Sequence, residues 1–442
     1  MAGGTWQGQN KIRAGAYINF VAVAKGLMTV GDRGIVALPL PLTWGAEGEL
    51  IEVLSTDMLT TGARALVGCN AFDSESKLLA GALTYAYKAL VYRTTKGGAK
   101  AKATVSGLTI TAKYNGTFGN KIQLSIEKDK DTGIFTVYTY VKGTVVDTQK
   151  VTVIEDLDNN DYVVFSGTGA LTETAGTILS GGTDGTETED FSEFFTLLRM
   201  ARWQVLAMFS SKESDKSNTV NLIKSMREDE GRYVQAVVCN DATVDYEGII
   251  NSVCGAVING VEFTPNEFVA IVAGMTAGAD FNESNTARSI SGATKIINEL
   301  TDAEIKKGLQ KGHFIISTSS SGTIKVEQDI NSLHTFTIDK GYVFSKNRVI
   351  RTLDEIGTTT CTVWEDSYMG KVNNNEDGRT SLKADLTGYA EELVRLNALT
   401  DFDATEDLTV ERGNDVDTVL VDWAVTPVDS MEKLYMTVSV NG

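Results

Sequence analysis

The sequence predicts a multidomain α+β protein: an α/β middle domain carrying an inserted small all-β domain, then a C-terminal α+β domain, with extended arms at both ends. Three observations carry that prediction. Capped helix signals alternate with short apolar strand runs on both sides of a stretch, residues 96–189, that reads as strands alone. Glycine and turn dipeptides punctuate the borders of that stretch, so it reads as an insertion. Both chain ends are apolar and extended, where most domains fray into polar tails. A length of 442 residues suits about three domains and a core that needs no disulfide or metal.

Taken in order, residues 1–30 form an arm, a Gly- and Gln-rich lead followed by an apolar run around Tyr17, Ile18 and Phe20. Lys11 and Arg13 ahead of AGAYINFVAVA imitate a secretory signal, but the stretch has no leucine and Asn19 interrupts it, so it reads as an arm rather than a leader. Residues 31–95 and 190–345 make the α/β middle domain. From Asp73 as N-cap, Leu79, Leu83, Tyr87 and Leu90 fall at helical spacing, which predicts a helix to about Val91. Between residues 101 and 190, segments such as LTITAKY, KIQLSIEK and GIFTVYTYV alternate and are separated by turns such as Asn115-Gly116. SGGTDGTE, residues 180–187, reads as a flexible exit from this β module. Asp190 and Glu193 supply N-cap and N3 for the helix in FSEFFTLLRMARW. Thr264, Pro265 and Glu267 open a buried apolar helix, and Thr301 with Glu304 repeats the capping box. YVQAVVC and HFIIST read as strands between these helices. Residues 346–442 form the C-terminal domain, whose one clear helix after Arg351, YAEELVRLNAL, sets Glu391 four residues before Arg395 on its outer face. Its arm, about 425–442, ends in a strand with Leu434, Met436, Val438 and Val440 on one side.

Chemistry is sparse. The formal charge of -18, from 40 basic against 58 acidic residues, opposes nucleic acid and anionic membranes as partners. The longest relevant apolar run, residues 268–279, is too short for a membrane span of about 20 residues. Cys69, Cys239, Cys254 and Cys361 are too scattered for a metal knuckle, and neither metal nor organic cofactor is expected. No nucleotide loop, dinucleotide fingerprint or nucleophile elbow is present; GTFGNKI at 116–122 joins two strands and reads as a turn. The acidic loop EDLDNND at 155–161 lacks the glycine and twelfth-position carboxylate of an EF-hand and reads as a hairpin loop. His313 and His334 read as ordinary strand residues.

The ends differ in charge. Lys11, Arg13, Lys25 and Arg33 against Asp32 leave residues 1–33 at +3, whereas ten carboxylates against Arg412 and Lys433 leave residues 401–442 at -8. A basic arm and an acidic tail, both apolar, suit head-to-tail self-association by strand addition through Lys11, Arg13, Tyr17, Ile18 and Phe20 at one end and Leu434, Met436, Val438 and Val440 at the other. The alternative is that each end pairs within its own subunit.

AGAYINF at 14–20, YNGTFGNKI and LSGGTDG around the β insertion, NGVEFTPNEFVAIVAGMTAGADFNESNT at 259–286, EQDINSLHTFT at 327–337, KNRVIRTLDEI, GKVNNNEDGR and VDSMEKLYMTV together resemble the contractile tail sheath proteins of phages of Gram-positive bacteria and of phage-tail-like bacteriocins. One departure is Ala14, where a proline often precedes the glycine. The resemblance implies a structural subunit without enzymatic activity. It implies a helical homopolymer of stacked six-membered rings around an inner tail tube protein, meeting baseplate and tail terminator proteins at its ends. It further implies that the C-terminal domain polymerises and faces the tube, with Glu391, Glu392 and Arg395 on a tube-facing helix. Assembly in the bacterial host cytoplasm, into a virion tail or a released particle, follows from the same likeness. The other reading of the residues is a soluble hydrolase with an unrecognised carboxylate pair.

Overall fold

The structure, a computed structural model, describes residues 2–4, 15–17, 28, 33–188 and 190–440. They fall into two compact units: one within residues 31–358 together with 427–442, the other 359–426 with the described part of residues 1–30.

The larger unit is organised by a seven-stranded sheet in the order His313–Phe314, Ile249–Ser252, Gln235–Cys239, Val205–Ala207, Ile35–Leu40, Lys88–Arg93, Leu50–Leu54. Every neighbouring pair is parallel except the last. The two-residue period of a strand sends Val36, Leu38, Val91 and Val205 to one face and Ile35, Ala37, Leu90, Tyr92 and Leu206 to the other. On the first face lie α1 (Gly62–Val67) and α2 (Lys77–Leu83), and on the second α3 (Ser192–Met200) and α4 (Glu213–Lys224). Helix α5 (Pro265–Gly278) covers the first face and is buried from Phe268 to Ala277 on every side, as a helix apolar all round must be. Its start is the expected capping box: the Thr264 side chain accepts from the Glu267 N–H, and the Thr264 N–H donates to Glu267 Oε2 at 2.9 Å. Gly274 is needed because a Cβ there would stand 2.2 Å from the Ala82 carbonyl oxygen of α2. The same capping box, at Thr301 and Glu304, opens α6 (Asp302–Leu309).

Several expectations change. The helix expected from Asp73 to Val91 is only α2, after a 3-10 turn at Ser74–Ser76, and Lys88–Arg93 is a central strand. An apolar, aromatic and β-branched run satisfies both periods over so few residues, and two-sided burial between a parallel neighbour, Ile35–Leu40, and an antiparallel one, Leu50–Leu54, decides for the strand. Asp73 makes no side-chain cap; its carboxylate accepts from the Asn70 N–H at 3.0 Å and pairs with Lys142 at 2.6 Å. Asp190 accepts from the Ser192 N–H at 2.9 Å, so it caps α3 from one residue further out than drawn. HFIIST breaks at Ile315 into two short strands belonging to different sheets, and His334 stands in a loop, its Nδ1 2.9 Å from the Ser332 carbonyl oxygen.

The β insertion packs a four-stranded sheet (Thr144–Val151, Phe135–Val141, Ile122–Lys128, Thr174–Ile178) and a three-stranded one (Val163–Ser166, Leu108–Ala112, Lys102–Val105), both antiparallel. Residues 155–161 therefore connect two sheets and do not close a hairpin, and Asp156 accepts from Thr152 Oγ1 at 2.8 Å. GTFGNKI is a 3-10 turn, Thr117–Lys121, running into a strand. Entry and exit are adjacent, since Thr95–Lys96 pairs antiparallel with Thr186–Glu187. The exit is clasped rather than loose: Asp184 Oδ1 accepts from the Thr117 N–H at 2.6 Å, and a Cβ on Gly116 would meet the Thr43 carbonyl oxygen at 1.9 Å.

The middle domain also lends the insertion a core residue. Trp44 is fully buried among Tyr114, Phe118 and Tyr162, and buried Arg93 donates to the Gly45 carbonyl at 2.8 Å and to Asn115 Oδ1 at 2.9 Å. Removal of residues 96–189 behind a short Gly-Ser linker is thus expected to give a folded chain that aggregates on warming, because the Trp44 indole is bared. Trp44→Ser in the shortened chain should restore solubility, followed by light scattering during a thermal ramp. Equal solubility without that substitution would mean Trp44 is not part of a shared core.

In the smaller unit, α8 (Glu376–Arg395), numbered after α7 (Asn347–Val363), buries Leu382, Leu386, Tyr389, Ala390 and Leu393. The antiparallel hairpin Leu408–Arg412 with Val419–Trp423 packs here, Trp423 lying edge-on to Tyr389 at 6.3 Å. The expectation of one clear helix after Arg351 is corrected: α7 starts ahead of Arg351 and runs to Val363. The β-branched run Thr358–Thr360 obscured it, and burial of its first turns overrides that weak propensity. In the N-terminal segment, Ala2–Gly4 pairs parallel with Gly15–Tyr17.

Candidate assembly site: a buried polar hub and the C-terminal segment

Four strings far apart in the sequence meet around the first turns of α7. Asp329, 1% exposed, receives hydrogen bonds on its carboxylate from Asn347 Nδ2 at 2.9 Å, from the Asn285 N–H at 2.9 Å and from Arg351 Nη2 at 2.7 Å. Asn285, Asn347 and Arg351 are each fully buried. One turn further along α7, Asp354 holds Arg227 in a two-pronged pair at 2.7 and 2.9 Å. Burial alone would lower the Arg227 guanidinium, but the Asp354 carboxylate outweighs it and the pKa is raised. A charge taken from water must be repaid by close partners, and both ion pairs have them.

The hub extends to the chain end through Thr286. Its Oγ1 accepts from the Asp329 N–H at 2.9 Å and donates to Glu432 Oε1 at 2.8 Å. Glu432 Oε2 is bonded by Lys346 Nζ, with Asp429 4.0 Å from the same ammonium and the Tyr342 ring beneath it at 5.5 Å. Burial pulls the Lys346 ammonium down, yet the bond to Glu432 and the charges of Glu432, Tyr342 and Asp429 raise it above its ordinary value. It therefore stays charged at neutral pH.

Beyond Glu432 the chain is bare. No strand forms within residues 428–440, and Leu434, Met436, Val438 and Val440 are 84, 73, 70 and 88% exposed. The expected terminal strand with one buried face is thus corrected for the single chain: its N–H groups find no partner strand, and neither face is covered. Among the N-terminal residues singled out, Lys11, Arg13, Ile18 and Phe20 lie outside the described residues, and Tyr17 ends the three-residue strand.

On α8 the expected Glu391–Arg395 pairing gives way to a neighbouring one. Arg395 donates from Nε and Nη2 to Glu392 at 2.7 and 2.6 Å, lowering the Glu392 carboxyl and raising the guanidinium. Glu391 instead lines a groove of about 740 Å³ with Arg379, Lys383, Glu411 and Arg412. The structure thus brings Glu391, Glu392 and Arg395 onto one exposed helix end. Sequence reasoning missed Thr286, Asp329, Lys346 and Arg351 as a group; the available signal was the i, i+4, i+7 spacing of Asn347, Arg351 and Asp354, a polar stripe on one helical face.

A hub that ties distant strings together, with the apolar segment 433–440 left exposed beyond it, is what a subunit of an assembly would show. Sequence models of the phage tail sheath match in three consecutive blocks: the beta-sandwich domain at residues 96–184, the central domain at 184–332 and the C-terminal domain at 339–441. The chain belongs to the phage tail sheath protein family, a family of structural sheath proteins, and this sets aside the hydrolase reading. It is 35% identical to the phage-like element PBSX protein XkdK of Bacillus subtilis, over 100% of both chains. The crystal structure of a sheath tail protein from Desulfitobacterium hafniense superposes with a TM-score of 0.82 and 39% identity, covering 96% of this chain and 99% of that one. The helical sheath of the anti-feeding prophage in its contracted state shares the fold, with a TM-score of 0.58 at 10% identity over 97% of this chain and 99% of that one. The chain is thus a tail sheath protein. Among the described residues, no helix is long and apolar enough to cross a membrane.

Proposed function

We propose that this chain polymerises as stacked hexameric rings around an inner tube and contracts to drive that tube through a target cell envelope. The observation that carries the reading is the bare, alternating segment 433–440, whose Leu434, Met436, Val438 and Val440 are all left exposed. Such a segment supplies a strand, and a two-stranded hairpin such as Leu408–Arg412 with Val419–Trp423 has open edges to receive one from another copy. The basic arm, with Lys11, Arg13, Tyr17, Ile18 and Phe20, docks near the acidic tail of a neighbour. Residues 96–189 form the inserted β domain and 346–442 the polymerisation domain, whose exposed helix end at Glu391, Glu392 and Arg395 faces the tube. The partners are further copies of itself, the inner tail tube protein, and baseplate and tail terminator proteins. Assembly takes place in the bacterial host cytoplasm, in the making of a virion tail or a released phage-tail-like particle.

Negative-stain microscopy of the purified protein is the direct test: rings or tubular polymers are expected, and a strict monomer at high concentration and low salt would overturn the reading. Charge pairing is tested separately. Lys11→Glu with Arg13→Glu is expected to slow or stop assembly while leaving the circular dichroism of the monomer unchanged. Each exposed pair is worth only about 0–1 kcal/mol, so the effect comes from repetition over many copies. Assembly unchanged across a range of salt would remove charge from the account.

A further inference from the structure

We propose that Glu432 is a positioning residue for assembly: gripped by Lys346 and Thr286, it fixes the root of the C-terminal segment so that residues 433–440 leave the subunit in the direction a neighbouring copy needs. The inference rests on the strand-donation reading above and adds the device that aims the strand.

Glu432 is the last side chain of the described segment turned inward. Met431 before it and every residue from Lys433 to Val440 are exposed, while the Glu432 side chain is only 9% exposed. Both carboxylate oxygens are engaged, Oε1 by the Thr286 hydroxyl at 2.8 Å and Oε2 by the Lys346 ammonium. Two-point attachment of a planar group fixes orientation as well as place. The groups that hold it are themselves immobile. Thr286 is tied to the Asp329 backbone, Lys346 is 4% exposed, and Asp329 is bonded by Asn285, Asn347 and Arg351. Residues 433–440 are exposed throughout, so the grip on Glu432 is the last hold the described chain has on the segment that follows it. A segment free to point anywhere is competent for donation only part of the time, and the concentration needed for assembly rises by the inverse of that fraction.

The test uses the full chain. Glu432→Gln is expected to raise the protein concentration at which polymer sediments roughly tenfold, and to quicken tryptic cleavage after Lys433 several-fold. A merely structural role is separated by the double variant Glu432→Gln with Lys346→Met, which removes the buried ammonium that the single change leaves unpaired. If only an unpaired charge mattered, the double variant would recover both its melting temperature and its assembly threshold, and the proposal would fail. Positioning requires recovery of the melting temperature alone, with the threshold still raised. A chain lacking residues 433–442 provides the control. If it polymerises as readily as the intact protein, strand donation itself is wrong and the anchor has nothing to aim. If it does not polymerise while Glu432→Gln assembles at the ordinary threshold, donation stands and the anchor is refuted.

Discussion

Arg351→Met is expected to destabilise the larger unit by about 3 kcal/mol. The guanidinium is fully buried and its Nη2 is 2.7 Å from the Asp329 carboxylate, itself 1% exposed. Methionine fills a similar volume but leaves that carboxylate with only the Asn347 amide and the Asn285 N–H. Breaking a buried pair from one side costs about 3–5 kcal/mol, far more than removing both charges. The lower end of the range applies, because Nε and Nη1 of Arg351 are buried without a hydrogen-bond partner among the described residues, and their removal returns part of the loss. Against a typical total of about 5–15 kcal/mol, this brings the unit close to unfolding on mild heating. Urea titration followed by circular dichroism measures it. Asp329→Asn combined with Arg351→Met should recover more than half of the loss, since no charge then remains unpaired. A shift below about 1 kcal/mol for the single variant would show that water reaches the pair and that the hub is not a framework.

What was legible in the sequence was local. The capping boxes at Thr264 and Thr301 placed α5 and α6 because a cap is satisfied within four residues of itself. The β insertion was legible because alternation and turn dipeptides repeat over its whole length. Lys88–Arg93 was misassigned because periodicity over the four apolar residues Ala89–Tyr92 does not separate a buried strand from a buried helix turn; only its neighbours in the sheet do. Helix α7 was obscured by the β-branched run Thr358–Thr360, and its Arg351 and Asp354 are satisfied by Asp329 and by Arg227, 22 and 127 positions away, partners that no local pattern shows. The glycines near residue 182 suggested looseness, yet they permit close backbone approach, something composition does not distinguish. The hub residues sat inside the very strings that carried the family resemblance, but the fact that Thr286, Asp329, Lys346 and Glu432 converge belongs to tertiary structure alone. The chain end was the opposite case. Its alternation reads as a strand pattern, but residues 428–440 form no strand, because the single chain offers that pattern no partner.

Val438→Pro is expected to abolish sheath formation while leaving a folded monomer, a loss complete enough to read by eye in negative stain. Val438 is 70% exposed in a segment without secondary structure, so its replacement removes no core contact and should change monomer stability by no more than about 0.5 kcal/mol. The proline removes one N–H donor and fixes φ near about -65°, which a strand paired on both sides does not accommodate. If residues 433–440 complete a sheet in another copy, the lesion falls on every junction of the polymer at once, and small losses per junction multiply. Val438→Thr is the matching control: it keeps β-branching and the N–H, gives up apolar contact, and should assemble at a higher protein concentration. The pair separates backbone from side chain as the source of affinity. If Thr fails and Pro assembles, the segment docks through its side chains as a plug and not as a strand. Normal sheaths from both variants would remove the segment from the interface. Global unfolding of the proline variant by circular dichroism would contradict the exposure on which the whole assignment depends, because a segment that touches no core cannot unfold one.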